Sequence, residues 1–231
     1  MISITDLRAA YGPLPVLFGL DLNVARGETL ALIGANGAGK TTTFAVMTGR
    51  LKPQAGSVSV AGRDIAGLTP MDIVSHGLAL VPEGRQLFPS LTVEENLIVG
   101  AHSRRAGAWH LERVYEIFPT VAEFRKRPST ALSGGQQQLV AIGRALMSNP
   151  EVLLCDELSL GLSPAAVDVV YSALQKLRGA GLTTVIVEQD IARALAFSDR
   201  FACMRHGRIV LSGSSTAADR TEISNAYFGM R

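Results

Sequence analysis

Gly34-Ala35-Asn36-Gly37-Ala38-Gly39-Lys40-Thr41 satisfies the pattern G-x-x-x-x-G-K-[ST] at every fixed position. The apolar run Leu30-Ala31-Leu32-Ile33 precedes it, and Thr42 to Thr48 follows as a helix closed by Gly49. A strand, a glycine-rich loop and a helix therefore stand in the order that gives this pattern its meaning. The physical demand behind the spacing is a set of triphosphate oxygens that must be surrounded by donors with no Cβ in the way. Gly34, Gly37 and Gly39 supply that clearance and let successive N–H groups turn inward, and the helix start near Gly39 adds unpaired donors and the positive end of its dipole. In such a loop Lys40 reaches the β- and γ-phosphates and the Thr41 hydroxyl ligates Mg²⁺, with Asn36 and Thr42 completing the binding set. An unliganded glycine turn is the plainer reading, and the agreement of pattern with context weighs against it.

Composition narrows the field. A chain of 231 residues makes one large domain or two small ones, ample for a core of its own. Only 6% of residues are aromatic, which favours neither a base-stacking platform nor an aromatic cage. With 22 basic against 20 acidic residues the net charge of +2 gives no electrostatic track, so no nucleic-acid partner is expected. Cys155 and Cys203 sit in apolar surroundings and read as buried thiols of a reduced compartment, a disulfide being the alternative. The start Met1-Ile2-Ser3-Ile4-Thr5-Asp6 lacks a basic region followed by an apolar one, and no apolar stretch approaches the ~20 residues of a membrane span. The expectation is a chain neither secreted nor inserted. Its mean hydropathy of +0.24 hints at apolar surface for a partner to cover, though alanine and leucine also account for it.

In chain order, Ile2 to Leu7 and Leu20 to Ala25 read as short strands of an antiparallel sheet around the turn-rich Tyr11-Gly12-Pro13-Leu14-Pro15, and Ser57 to Gly62 alternates as a further strand of that sheet. Gly77 to Pro82 is another strand. Thr92-Val93-Glu94-Glu95 is a capping box, and Leu111, Val114, Tyr115 and Phe118 mark an amphipathic helix that stops before Pro119. No convincing strand occurs over 91–149, which reads as a helical insertion; Arg125-Lys126-Arg127 within it reads as a solvated face. Glu151 to Cys155 is an apolar strand ending in Asp156-Glu157. Ser163-Pro164 opens a helix ending near Gly179 and Gly181, Thr183 to Val187 is a buried strand leading to Glu188-Gln189-Asp190 and a helix, and Met204 to Leu211 turns at His206-Gly207 as a hairpin before a helical tail. The expected class is α/β: a phosphate-loop NTPase core with a mainly parallel sheet, an N-terminal antiparallel β subdomain and an α-helical subdomain. Residues 1–90 and 150–231 form the core and 91–149 the helical part of one domain.

Asp156-Glu157 at a strand end supplies what a phosphate-loop enzyme needs beside its nucleotide, one carboxylate for Mg²⁺ and the next to orient water. Between these motifs lies Leu132-Ser133-Gly134-Gly135-Gln136, in which Ser133 and Gln136 cap a helix running to about Met147 and the paired glycines leave its N-terminal donors uncovered for an anion. This stretch resembles the signature sequence of the ATP-binding cassette family, and the resemblance extends over essentially the whole chain. It implies that Tyr11 stacks on adenine and that Ser133, Gly134, Gly135 and Gln136 complete the site of a second cassette, so that two cassettes sandwich two ATP molecules head to tail. It implies ATP and Mg²⁺ as cofactors, with Thr41, Asp156 and Glu83 at the metal and Glu157, Gln189 and Glu83 as the hydrolytic residues.

Val81-Pro82-Glu83-Gly84-Arg85, Leu91 to Leu97, Ser159 to Pro164 and Val187-Glu188-Gln189 resemble more narrowly the shorter ATPase subunit of bacterial branched-chain amino-acid importers. The partners so implied are a second cassette subunit, as homodimer or heterodimer, transmembrane permease subunits and, indirectly, a periplasmic binding protein, at the cytoplasmic face of the bacterial inner membrane. Departures from the wider family fall on the hydrolytic machinery. Glu83 stands where a glutamine is usual, Gln189 where most cassettes have a histidine, Ser163 where an aspartate is usual and Leu158 where a proline is. Gln189 keeps a donor and an acceptor but loses a group able to carry charge, and Glu83 adds negative charge that a cation such as Arg85 has to offset. ATP binding is thus expected more firmly than rapid turnover. Alternative readings are a cassette ATPase acting on ribosomes or DNA, and a regulatory cassette with little hydrolysis.

Overall fold

The computed structural model describes residues 1–229. The chain opens with a hairpin, β1 (Ile2–Tyr11) and β2 (Leu14–Val24). Next come β3 (Thr29–Ile33), α1 (Lys40–Met47), β4 (Ala55–Val60), the short β5 (Arg63–Asp64), α2 (Pro70–Ser75) and β6 (Leu78–Val81). Four helices follow: α3 (Val93–Gly100), α4 (Leu111–Ile117), α5 (Pro119–Glu123) and α6 (Gly134–Leu146). The last third alternates β7 (Val152–Asp156), α7 (Pro164–Gly179), β8 (Thr183–Glu188), α8 (Ile191–Phe197), β9 (Arg200–Arg205), β10 (Arg208–Ser214) and α9 (Arg220–Phe228).

Two sheets result. An antiparallel one runs β2-β1-β4-β5, and a six-stranded one runs β10-β9-β3-β8-β7-β6, parallel except for β10. The inner strands β3, β7 and β8 are buried on both faces and alternate between two cores, as a covered parallel sheet requires, whereas the edge strand β10 is partly exposed. Ala31, Ile33, Leu153, Cys155 and Ile186 face the helices, where they pack with Leu139, Val140, Leu174 and Leu177. Leu30, Leu32, Leu154, Val185 and Val187 face the antiparallel sheet, with Phe44 and Met47 of α1 and Ile4, Leu20 and Val58 between the two sheets. Burying a side chain the size of Phe44 contributes roughly 2–3 kcal/mol, so the inner helix is fixed on both sides.

The start signals read from the sequence are realised. Thr92 and Glu95 form a reciprocal capping box on α3, Ser133 and Gln136 another on α6, and Ser163 caps α7 with Pro164 in its first turn. Between α3 and α6 the only strand-like pairing among the described residues is the isolated bridge Thr92–Pro128. Two readings need correction. The first hairpin is longer than expected, with Leu14 and Pro15 inside β2 opposite Tyr11 and Ala10; β2 is an edge strand, so the missing proline N–H breaks no ladder. The last hairpin is longer too, running from Arg200 to Ser214, because β9 is also a member of the parallel sheet beside β3. The cysteines are free and buried. Two strands, β3 and β8, separate β9 from β7, about 14 Å at ~4.8 Å per strand, beyond the ~7 Å a disulfide can bridge.

Candidate functional site

Ladder register decides where the chemistry collects. Ile33 pairs with Glu188, Asp156 with Val187 and Val81 with Cys155, so the chain leaves β3, β8, β7 and β6 along one carboxyl edge. The glycine loop follows β3, Gln189 follows β8, Glu157 follows β7 and Glu83 follows β6. A cavity of about 620 Å³ opens there, lined by Asn36, Gly37, Gly39, Lys40, Thr41, Thr42, Glu83, Glu157 and Gln189, with Val16 of β2 and Leu160 at its sides. Carboxyl ends of parallel strands are the standard location for ligand sites in open α/β sheets.

Within the loop the glycines do different work. A Cβ on Gly34 would lie 2.4 Å from the Met204 carbonyl oxygen, so its clearance is against β9. Gly37 has open space around it but a φ of 79°, so there the requirement is conformational. Lys40 is 5% exposed, and its Nζ donates to the carbonyl oxygens of Gly34 and, at 3.1 Å, of Ala35, holding the loop closed on itself. Burial lowers the pKa of this ammonium, while the negative charges of Glu157 and Asp156 oppose the shift. Thr43 ties the helix start to β9 through a hydroxyl contact to the Met204 sulfur at 3.8 Å. Thr41 is exposed at the cavity and Thr42 is buried beside it.

Asp156 lies beneath this surface, 5% exposed, with its pKa pushed up to about 6 by burial and then by Glu157 and Glu83, against Arg50 and Lys40. Arg50 and Lys40 are thus the cations facing the acidic cluster. Arg85, expected to offset Glu83, instead donates to Gln137 Oε1 at 3.2 Å. Glu157 adopts a φ of 46°, donates its N–H to Val187 O at 3.0 Å and accepts from Gln189 Nε2 at 2.7 Å. Gln189 and Glu157 therefore meet directly, as their assignment to one site requires.

Two predicted elements do not join this cavity within one chain. Tyr11, 49% exposed, ends β1 at the hairpin tip, and only Val16 of that hairpin reaches the lining. Ser133, Gly134, Gly135 and Gln136 also lie outside it, Ser133 exposed at the start of α6. The paired glycines have a packing reason that the sequence did not reveal. A Cβ on Gly135 would come 2.9 Å from that of Ala166, and one on Gly134 3.0 Å from Leu162, so this helix start is pressed against the start of α7.

Sequence reasoning missed Arg144. It reaches from α6 to the carbonyl oxygens of Gln86 and Arg85 at 2.7 and 3.0 Å, clamping the loop that carries Glu83, in which Arg85 and Gln86 both have positive φ. No local pattern marks an arginine as the partner of carbonyls 58 and 59 residues away. Among the described residues no cluster of three or more metal-ligating carboxylates, histidines or cysteines occurs.

This arrangement, with a glycine loop on the central parallel strand and carboxylates on its neighbours, defines a nucleotide-binding protein of the phosphate-loop class. The family model described as "ABC transporter" matches residues 17–159. The chain is 38% identical to the high-affinity branched-chain amino acid transport ATP-binding protein BraG of Pseudomonas aeruginosa, over 99% of this chain and all of that one. It is 32% identical to the probable branched-chain amino acid transport ATP-binding protein LivF of Archaeoglobus fulgidus, over 93% and 92%. Among solved structures it is similar to a dimeric post-hydrolysis state of an ATP-binding cassette bound to ADP and Pi, with a TM-score of 0.81 and 26% identity over 93% and 99% of the two chains. The chain belongs to the ABC transporter family, as an ATP-binding cassette ATPase.

The raised pKa of Asp156 has a measurable consequence. The stability that its neutral form lends is complete below the ordinary aspartate pKa of about 4 and is lost as pH rises through about 6. In the presence of chelator, Asp156→Asn should melt above the unaltered chain at pH 8, and the gap should close as pH falls toward 4. A gap independent of pH, read by thermal denaturation, would contradict this.

Proposed function

We propose that this protein is the ATP-hydrolysing subunit of an importer for branched-chain or similar hydrophobic amino acids, binding MgATP between two cassettes at the cytoplasmic face of a bacterial inner membrane. The observation carrying the proposal is the meeting of Lys40, Thr41, Glu83, Glu157 and Gln189 around one cavity, while the capped start of α6 stands apart from it. In this reading the loop N–H groups and Lys40 hold the phosphates, and Tyr11 covers the adenine from the hairpin tip. Ser133, Gly134, Gly135 and Gln136 serve the site of the second cassette.

The residues suit Mg²⁺, which takes one or two protein groups and fills its remaining positions with phosphate oxygens and water. Thr41 is the exposed hydroxyl, with Asp156 and Glu83 as the carboxylates, and the ion would offset the negative charge these acids share. Glu157, oriented by Gln189, accepts a proton from the attacking water. An uncharged amide is sufficient for that orientation, since it uses only its donor.

Residues 1–231 act as one domain in this reading, with 1–90 and 150–231 as the nucleotide core and 91–149 as the helical part facing the permease. The loop after β6 supports a mechanical link: Glu83 lies at the cavity, whereas Gln86 and Phe88 line an apolar groove of about 510 Å³ with Met71, Val74 and Val99. Arg144 ties that loop to α6, so closure around nucleotide is felt in the groove. Among the described residues no helix is long and apolar enough to cross a membrane, and permease subunits supply that path. A periplasmic binding protein would deliver the cargo, whose class is taken from the two branched-chain relatives.

Three outcomes are expected. Lys40→Ala removes a charged hydrogen-bond donor and should weaken ATP affinity by roughly 10- to 100-fold in equilibrium binding; unchanged affinity would remove the phosphate-loop assignment. Glu157→Gln should retain ATP binding, prolong the closed dimer and lower steady-state hydrolysis by about 10²-fold or more. Purified from detergent-solubilised membranes, the chain should bring permease subunits with it; ribosomes or DNA in their place would favour the competing class.

A further inference from the structure

Glu188 ends β8 and is 2% exposed, yet among the described residues no ion pair reaches it. Its two oxygens are met by hydroxyls: Tyr171 donates to Oε1 at 2.7 Å and Ser159 donates to Oε2 at 2.8 Å. Burying a carboxylate costs free energy that two neutral donors recover only in part, and an apolar side chain of similar size would carry no such cost. Stability is therefore a poor reason for an acid here. Its effect on its neighbours is more specific.

Residues 187–189 make three hydrogen bonds to the chain that leaves β7, two to Glu157 and one to Ser159. Val187 O accepts from Glu157 N–H, Gln189 holds the Glu157 carboxylate, and Glu188 holds Ser159, two residues further along. Between these anchors Glu157 keeps its left-handed backbone, a conformation a non-glycine residue holds only where the surroundings over-determine it. Leu160, next in the same loop, lines the cavity. Tyr171 braces the far side of the carboxylate from α7, its ring edge-on to Phe197 at 5.1 Å.

We propose that Glu188 is a positioning residue for hydrolysis: through the Ser159 hydroxyl it fixes the loop after β7 and so keeps the Glu157 carboxylate at the cavity beside Gln189. This rests on the ATP-hydrolysing function proposed above. Removing the Ser159 anchor frees the loop at one end, Glu157 relaxes toward an ordinary backbone conformation, and its carboxylate leaves the position from which it takes a proton.

The test compares steady-state ATP hydrolysis and thermal melting of the full-length chain, purified together with its second cassette and permease subunits, with those of Ser159→Ala, Ser159→Thr, Glu188→Gln and Tyr171→Phe in the same complex, all assayed well below the lowest melting temperature. Ser159→Ala should lower kcat at least about tenfold with little change in KM for ATP, the pattern of a displaced catalytic group. Ser159→Thr keeps the hydroxyl and should restore most of the turnover. Glu188→Gln, whose amide oxygen can accept from only one of the two hydroxyls by its original geometry, should fall between them. Tyr171→Phe leaves the Ser159 contact in place and should stay within about threefold of the unaltered chain. Undiminished kcat in Ser159→Ala overturns the proposal, as does a loss that Tyr171→Phe reproduces in step with its melting temperature. An unaltered chain that binds but never hydrolyses ATP overturns the functional reading itself, and the positioning role with it; normal turnover in the unaltered chain alongside an unaffected Ser159→Ala removes the positioning role alone.

Discussion

Parallel pairing of β8 between β3 and β7 is the constraint on which the rest of the structure depends. Because the three strands are in register from Thr29 to Ile33, Thr183 to Glu188 and Val152 to Asp156, their carboxyl ends emerge together. A slip of one residue in either ladder would turn every side chain to the opposite core and carry Glu157 or Gln189 away from the loop. The full burial of both faces makes such a slip expensive, since Ala31 and Ile33 could not exchange places with Leu30 and Leu32 without misfilling both cores.

Electrostatics then selects what the edge can accommodate. Asp156, Glu157 and Glu83 gather against Lys40 and Arg50, and burial first, then the two neighbouring carboxylates, push the Asp156 pKa up. Bare phosphate would be poorly received beside such a cluster, whereas a polyanion carrying a divalent cation suits it. The same crowding acts on Lys40, where burial lowers the pKa of the ammonium and the negative charges of Glu157 and Asp156 oppose that shift.

Much of this was readable in the sequence because the informative signals are local. The loop from Gly34 to Thr41, the capping boxes at Thr92 and Ser133 and the apolar run ending at Asp156 each encode their structure within a few residues, and each was found where the pattern placed it. What escaped depends on distance along the chain. That Gly34 fits under Met204, that Gly135 fits against Ala166, that Arg144 holds the carbonyls of Arg85 and Gln86 and that β9 joins the parallel sheet are consequences of packing between segments remote in sequence. Proline at an edge strand misled for the opposite reason, since Pro15 looks like a breaker locally and is harmless only because nothing pairs on its free side.

The tips of the first and last hairpins look alike in sequence but are attached very differently. Gly12 projects into open space, whereas Gly207, at the β9–β10 turn, gives its N–H to Ala38 O at 2.9 Å and its carbonyl to Phe18 N–H at 3.1 Å. The second turn is thus a rivet through three layers: central sheet, phosphate loop and outer sheet. Through Gly207 any displacement of the outer sheet is coupled to that loop. For anyone fusing a reporter into the chain, Gly12 is sterically free but adjoins Tyr11, the residue proposed to cover adenine, and the stretch around His206 is a keystone best left intact.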